Sequence, residues 1–299
     1  MPANSFGDLS AAVGKTAPRL TPIRADHLPD AVGLSSAMGW PYREADWRFA
    51  FDLGAGFAAE VDGRLVGTAM WWPYGDTHAS AGMIIVVPEM QGRGLGRALM
   101  DELLHAARGR TIFLNSTQAG LSLYTRLGFV PRGQVCQHQA ILMKEPLLAS
   151  STVGLRGMTA SDVEQVRLLD LAATGMDRTA LLNALFEVGM IMVVDRGAGV
   201  TAYACAREFG RGVVIGPVIA KGSSDAPDAM LLIAALAGRH HGRFVRIDVT
   251  EESGLSGWLT ELGLPCVGHE VAMARGFPTP GSSADAAARL FALASQSFG

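Results

Sequence analysis

The stretch Val86–Met100, VVPEMQGRGLGRALM, constrains the fold more than any other part of the chain. An apolar strand ends, Pro88 stops it, and Gly92, Gly94 and Gly96 open a helix. Leu95, Leu99 and Leu103 recur at helical spacing, joined by Met100, Leu104 and Ala107, which predicts a helix over Gly92–Arg108. A helix N-terminus presents unpaired N–H groups and a partial positive charge. Glycines let that backbone approach an anion, and Arg93 and Arg97 add charge, so the turn suits a pyrophosphate. The G-x-G-x-x-G fingerprint fails from either starting glycine, and the Gly-Lys-Ser/Thr of a Walker loop is absent. The competing reading is a glycine-rich helix start without a ligand. Three alternate glycines, two arginines and the preceding strand favour the ligand.

Strands and helices interleave on both sides of this turn. Leu20–Ile23 reads as a strand, Asp26–Met38 as a helix capped by Asp26, and Arg43–Leu53 as a second helix. Asp62-Gly63 is a hairpin signal between strands Gly56–Val61 and Leu65–Trp72. Strands follow at Gly82–Val87, Thr111–Leu114 and within Phe129–Met143, with a short helix at Leu121–Leu127. After a linker at Pro146–Val153 the order repeats. Strands are expected near Leu155–Met158, Met190–Asp195, Thr201–Arg207, Val213–Ala220 and Phe244–Val249. Helices are expected from Ser161, at Met230–Gly238 and Gly257–Leu262, and finally at Ser283–Ser297. Leu127-Gly128 has a counterpart in Leu262-Gly263, and the pattern reads as a tandem duplication. The expected division is a tail at 1–18, domains at 19–148 and 153–276, and a loop with a helix at 277–299.

Composition excludes several classes. A net charge of −3 gives no nucleic-acid footprint. No run of about 18 apolar residues suggests a membrane span, and the first residues lack a signal-peptide core. The cysteines, Cys136, Cys205 and Cys266, are scattered with no CxxC pair. Neither disulfides nor a metal is expected from them, and a reducing cytoplasm fits.

Gln91-Gly92-Arg93-Gly94-Leu95-Gly96 resembles the Q/R-x-x-G-x-G/A acyl-CoA signature of the GNAT superfamily of N-acyltransferases. Leu123-Tyr124-Thr125-Arg126-Leu127-Gly128-Phe129 is similar to that family's next landmark, a Tyr before Gly-Phe. The resemblance covers Leu20–Met143 and weakens in the second half. It implies two α/β domains, each a mixed, mostly antiparallel twisted sheet flanked by helices. It implies acetyl-CoA as co-substrate, with backbone groups of Ile85, Val86 and Val87 on the pantetheine arm. The pyrophosphate would lie on Gln91, Gly92, Arg93, Gly94, Leu95, Gly96 and Arg97. Asn115 would touch the pantetheine or merely cap a turn. Tyr124 would protonate the leaving thiolate or simply fill the core. Trp40, Tyr42 and Trp72 would line the acceptor pocket or cap the core. Asp76 and His78 precede the key strand and Glu60 lies on an earlier one, but none stands out as the base that attack by an amine requires, and a water chain would serve instead.

The second half lacks the machinery. Lys221–Asp228 brings two aspartates where a pyrophosphate would need glycines, and no Tyr precedes Leu262-Gly263. One active site is expected, acetylating the amine of a small molecule without a covalent acyl-enzyme. The alternatives are an acyl-CoA sensor without turnover, and a transferase acting on protein lysines or N-termini.

Overall fold

Asp62 and Gly63 both adopt positive φ, 49° and 77°, which turns the chain tightly enough to pair its flanking strands. Around that hairpin, a computed structural model describes residues 17–144, 152–222, 227–276 and 288–299. The first half comprises β1 (Arg19–Pro22), α1 (Leu28–Ala37), α2 (Glu44–Leu53), β2 (Ala55–Val61), β3 (Arg64–Tyr74) and β4 (His78–Val86). It continues with α3 (Leu95–Ala106), β5 (Thr111–Ser116), α4 (Leu121–Arg126) and β6 (Val130–Ile141). The second half begins with β7 (Leu155–Gly157), α5 (Val163–Thr174), α6 (Thr179–Val188), β8 (Met190–Asp195), β9 (Val200–Phe209) and β10 (Gly212–Ala220). It ends with α7 (Pro227–Gly238), β11 (Phe244–Thr250), α8 (Ser256–Glu261), β12 (Cys266–Arg275) and β13 (Arg289–Ala292).

The strands of the described residues form one 13-stranded sheet, ordered β1-β2-β3-β4-β5-β12-β6-β11-β13-β10-β9-β8-β7. Most neighbours are antiparallel, and the parallel pairs are β4–β5 and β10–β11. The halves exchange strands: β12 lies between β5 and β6, and β6 lies between β12 and β11. The ladder along this exchange leaves few edge groups unpaired, so the seam is sheet interior rather than a loose contact. On one side α3 buries Leu95, Leu99, Met100 and Leu103. Full burial of each such side chain contributes roughly 1.5–3 kcal/mol. In the second half α7 is buried over most of its surface, including Leu231, Leu232, Ile233 and Leu236, which explains its lack of a polar face.

The structure corrects three local expectations. Asp26 does not cap a helix; it pairs with Arg24 beside a 3-10 turn at Ala25–His27, and α1 starts after it. The glycine-rich helix starts at Leu95, because Gly92 and Gly94 adopt φ of 72° and 82° and remain in the turn. The final helix expected at Ser283–Ser297 is instead β13 followed by turns, with 277–287 outside the described residues. Its Ala and Leu favour a helix locally, but a gap between β10 and β11 takes the segment as a strand. Those two pair in parallel only at Val213–Val245 and Val214–Arg246. β13 then enters between them, with Ala292 opposite both Val218 and Val249.

Candidate functional site

β4 carries an irregularity that sets up the site. Thr68 lies opposite Ile85, while Met70 lies opposite Gly82, so β4 has an extra residue there. Met83 takes the strain at φ 50°, and Thr68 Oγ1 donates to its carbonyl at 2.8 Å. On its other side β4 pairs with β5 only at His78–Thr111, Ala79–Ile112 and Ser80–Phe113. Beyond Ser80 the two parallel strands have no register with each other, and the sheet opens. Ile85, Val86 and Val87 lie along that open side. Ile85 and Val87 side chains are buried, and Val87 donates its backbone N–H to Val66.

The glycine turn follows directly. Gln91 Nε2 donates to the Val86 carbonyl at 2.9 Å, fastening the turn to the strand end. Gly94 is the N-cap of α3, and Ala98 N–H donates to its carbonyl at 3.0 Å. The N–H groups before Ala98 have no partner within the helix. A Cβ at Gly92 or Gly94 would meet nothing within 4 Å, so the space over the turn is open. These features fit a pyrophosphate. Arg93 is exposed, and Arg97 pairs loosely with Asp101 at 3.4 Å on the helix surface. Leu95 is buried and anchors the first turn.

α4 abuts the same turn. A Cβ on Gly96 would lie 3.5 Å from Leu123 Cδ2 and 3.7 Å from Val86 Cγ2. Tyr124, the next residue, packs edge-on against Phe129 with ring centroids 6.0 Å apart. Gly120 is required here: a Cβ would sit 2.7 Å from the Tyr124 ring. Burial pushes the Tyr124 phenol up to about 12, so it stays protonated through the physiological range.

The other predicted residues are divided between the opening and its far end. Asn115, at the end of β5, donates through Nδ2 to the Gln296 carbonyl at 2.8 Å. Tyr42 shares a 3.3 Å hydroxyl contact with Ser297 and meets Phe209 edge-on. Trp72 is buried, donates to the Ala50 carbonyl at 2.8 Å and meets Phe298. Trp40 is half-buried against the core. Asp76 is fully exposed beside Arg110, and His78 stacks on Phe113 where β4 and β5 are still paired. Those two sit away from the opening.

The segment after β13 is what sequence reasoning missed. Having filled the opening between β10 and β11, the chain runs on across the first half. Ser297 packs on Gly82, whose absent side chain makes room: a Cβ there would be 2.9 Å from Ser297 Oγ. Tyr74 donates to the Phe298 carbonyl, and Arg178 donates to a Gly299 oxygen at 2.8 Å.

Gln296 Nε2 then reaches Glu270 Oε2 at 2.9 Å, Gln137 Oε1 at 3.2 Å and Asp248 Oδ1 at 3.4 Å. The antiparallel registers put Asn115, Glu270, Gln137 and Asp248 on one face of β5, β12, β6 and β11. Glu270 is half-buried. Burial, reinforced by Asp248, holds its carboxyl above the usual range; Arg246 and the Gln296 hydrogen bond only partly offset this. No local motif marks Glu270, so only the exchanged strand reveals it.

In the second half the equivalent opening holds β13. Asp228, in the first turn of α7, pairs with Arg196 at 2.6 Å, and Asp225 lies outside the described residues. Among the described residues, the strand filling and this acid leave no cradle there for an anion.

Comparison with known proteins agrees with this geometry. The acetyltransferase (GNAT) family model matches 23–129, and a further acetyltransferase (GNAT) domain model matches 166–287. An uncharacterized N-acetyltransferase of Bacillus subtilis, YitH, is 28% identical over 250 residues, 82% of this chain and 86% of its own. A holothin acyltransferase of a Pseudoalteromonas strain is 27% identical over 206 residues, 68% of each chain. A structure from Pyrococcus horikoshii superposes with a TM-score of 0.76 at 20% identity, covering 97% of this chain and 98% of that one. A tandem GNAT protein from the clavulanic acid biosynthesis pathway gives 0.64 at 16% identity, covering 88% and 100%. Fold and matches define an acyltransferase of the class that moves an acyl group from acyl-CoA to an amine. The chain belongs to the GNAT superfamily, as a member with two such domains in tandem. No helix among the described residues is long and apolar enough to cross a membrane.

Proposed function

We propose that this protein acetylates the amine of a small molecule, using acetyl-CoA, by direct attack in a ternary complex. The observation that carries this reading is the gap between β4 and β5, opening onto the glycine turn with Tyr124 beside it. The first half, 19–148, is the catalytic unit, and 153–276 is a degenerate partner that walls the acceptor side. Backbone N–H groups over Gly92–Arg97 hold the pyrophosphate, and the backbone of Ile85–Val87 that faces the gap pairs with the pantetheine arm.

Contacts between the halves wall the acceptor side. Gly210 donates its N–H to Asp46 Oδ2 at 2.9 Å, clamping the β9–β10 turn onto α2. The segment after β13 covers Gly82 and Asn115. Tyr42 is part of this wall. Such closure favours a small acceptor over a protein chain, and the holothin acyltransferase is a relative whose name states one.

Glu270 is the base. The amine nitrogen attacks the thioester carbonyl; its proton passes to Glu270, directly or through water. A C–N bond forms and the C–S bond breaks. The thiolate leaves with a proton from Tyr124. A base must be deprotonated, and the raised position of Glu270 moves the acid limb of activity above the ordinary carboxylate value of about 4.3. Glu270→Gln is expected to lower kcat roughly 10- to 100-fold and to abolish that limb. An unchanged limb in the variant would remove Glu270 from the mechanism.

Gly94 tests the coenzyme turn separately. Gly94→Val forces a β-branched residue into φ 82°. Titration calorimetry should show acetyl-CoA binding weakened at least about 10-fold, with the fold intact by circular dichroism. Undiminished affinity would exclude this turn as the pyrophosphate site. Binding of acetyl-CoA without turnover of any amine would favour a sensor.

A further inference from the structure

The two strands exchanged between the halves bring together side chains that are far apart in sequence. Cys136 lies on β6, and Cys266 and His269 lie on β12. Cys136 Sγ is 3.4 Å from His269 Nδ1, and Cys266 Sγ is 3.5 Å from His269 Nε2. One ligand atom from each of the three falls within 4.8 Å of the others. We propose that Cys136, Cys266 and His269 form a zinc site that fastens the strand exchange.

This reverses the expectation drawn from the scattered cysteines. Cys136 and His269 are 133 positions apart, so no spacing rule could pair them. Cys266 and His269 are three apart on one strand, where the register shift after Cys266 sets them opposite His138 and Cys136, two residues apart on one face of β6.

The dimensions suit zinc. Zn–S bonds of about 2.3 Å and Zn–N bonds of about 2.0 Å in a tetrahedron put ligand atoms roughly 3.5–3.8 Å apart. The three ligand atoms, within 4.8 Å of one another, would close to those separations on binding. Two thiolates and an imidazole are the soft donor set that selects zinc over magnesium or calcium.

Burial grades outward: Cys136 is buried, Cys266 half-buried and His269 exposed, leaving the fourth position to water from the solvent side. Binding displaces the two thiol protons to solvent as two Zn–S bonds form. The ligands come from both halves, so the metal would join them. This site is independent of the transferase reading.

The test uses the reduced full chain titrated with Co²⁺ and then Zn²⁺. One cobalt per chain is expected, with a sulfur-to-cobalt charge-transfer band that zinc abolishes by displacement. Cys266→Ser should remove the band. His269→Ala, at an exposed position, should weaken binding by more than the roughly 10- to 100-fold lost with an outer-shell partner. Cys205→Ala, at a buried cysteine away from the trio, should leave the band in place. Zinc at about 100 times its Kd should raise Tm by on the order of 5 °C in the wild type and not in Cys266→Ser. Absence of the band in the folded, reduced wild type would overturn the site. So would a band that survives Cys266→Ser undiminished, which would place the ion on another thiolate, such as Cys205.

Discussion

Tyr124→Phe should slow acetyl transfer by about 100- to 1,000-fold while leaving acetyl-CoA affinity within about twofold of wild type. The substitution removes one oxygen and keeps the ring that packs on Phe129 and Gly120. Only a group acting on the departing sulfur would separate the two quantities in this way. Burial raises the phenol to about 12, so in the wild type Tyr124 stays protonated across the physiological range. Its loss should therefore depress the whole pH profile rather than move a limb, in contrast to Glu270→Gln. Thiol release measured with a panel of amines reads kcat, and calorimetry reads affinity. Equal kcat in the two proteins would assign Tyr124 to the core alone. Parallel loss of affinity and rate would point to damaged packing.

The second large effect concerns stability. Asp170→Ala should cost about 3–5 kcal/mol, because it strands a buried charge. Arg178 and Asp170 side chains are wholly buried and paired at 2.6 Å. Asp170 also accepts from the Tyr203 hydroxyl, and Arg178 holds a Gly299 oxygen. The pair thus ties α5, the start of α6, β9 and the segment after β13. Urea unfolding would measure the loss. Replacing both residues, Asp170→Leu with Arg178→Met, should recover much of it, since burying two charges is itself costly. A single-variant loss below about 1 kcal/mol would show that water reaches the pair on relaxation.

Local backbone demands made much of the first half legible. The Asp62-Gly63 hairpin and the Gly92–Gly96 turn need conformations that glycine or aspartate adopts readily, so composition marks them. The apolar stripe of α3 follows from helical period. These features located the glycine turn and α4, the helix that carries Tyr124. α6 was within reach as well, since Leu181, Leu182 and Leu185 make an apolar face.

By itself the sequence determined the tandem α/β plan and the strand, glycine turn and helix at its centre, because each is specified by residues adjacent in the chain. Tertiary structure decided the rest. Backbone hydrogen bonds are the same for any strand, so nothing local assigns β12 a place between β5 and β6. That placement alone brings Glu270 beside Gln296 and gathers Cys136, Cys266 and His269. Arg289–Ala292 has helical composition and becomes a strand because an open ladder between β10 and β11 satisfies more backbone groups there than a short helix would.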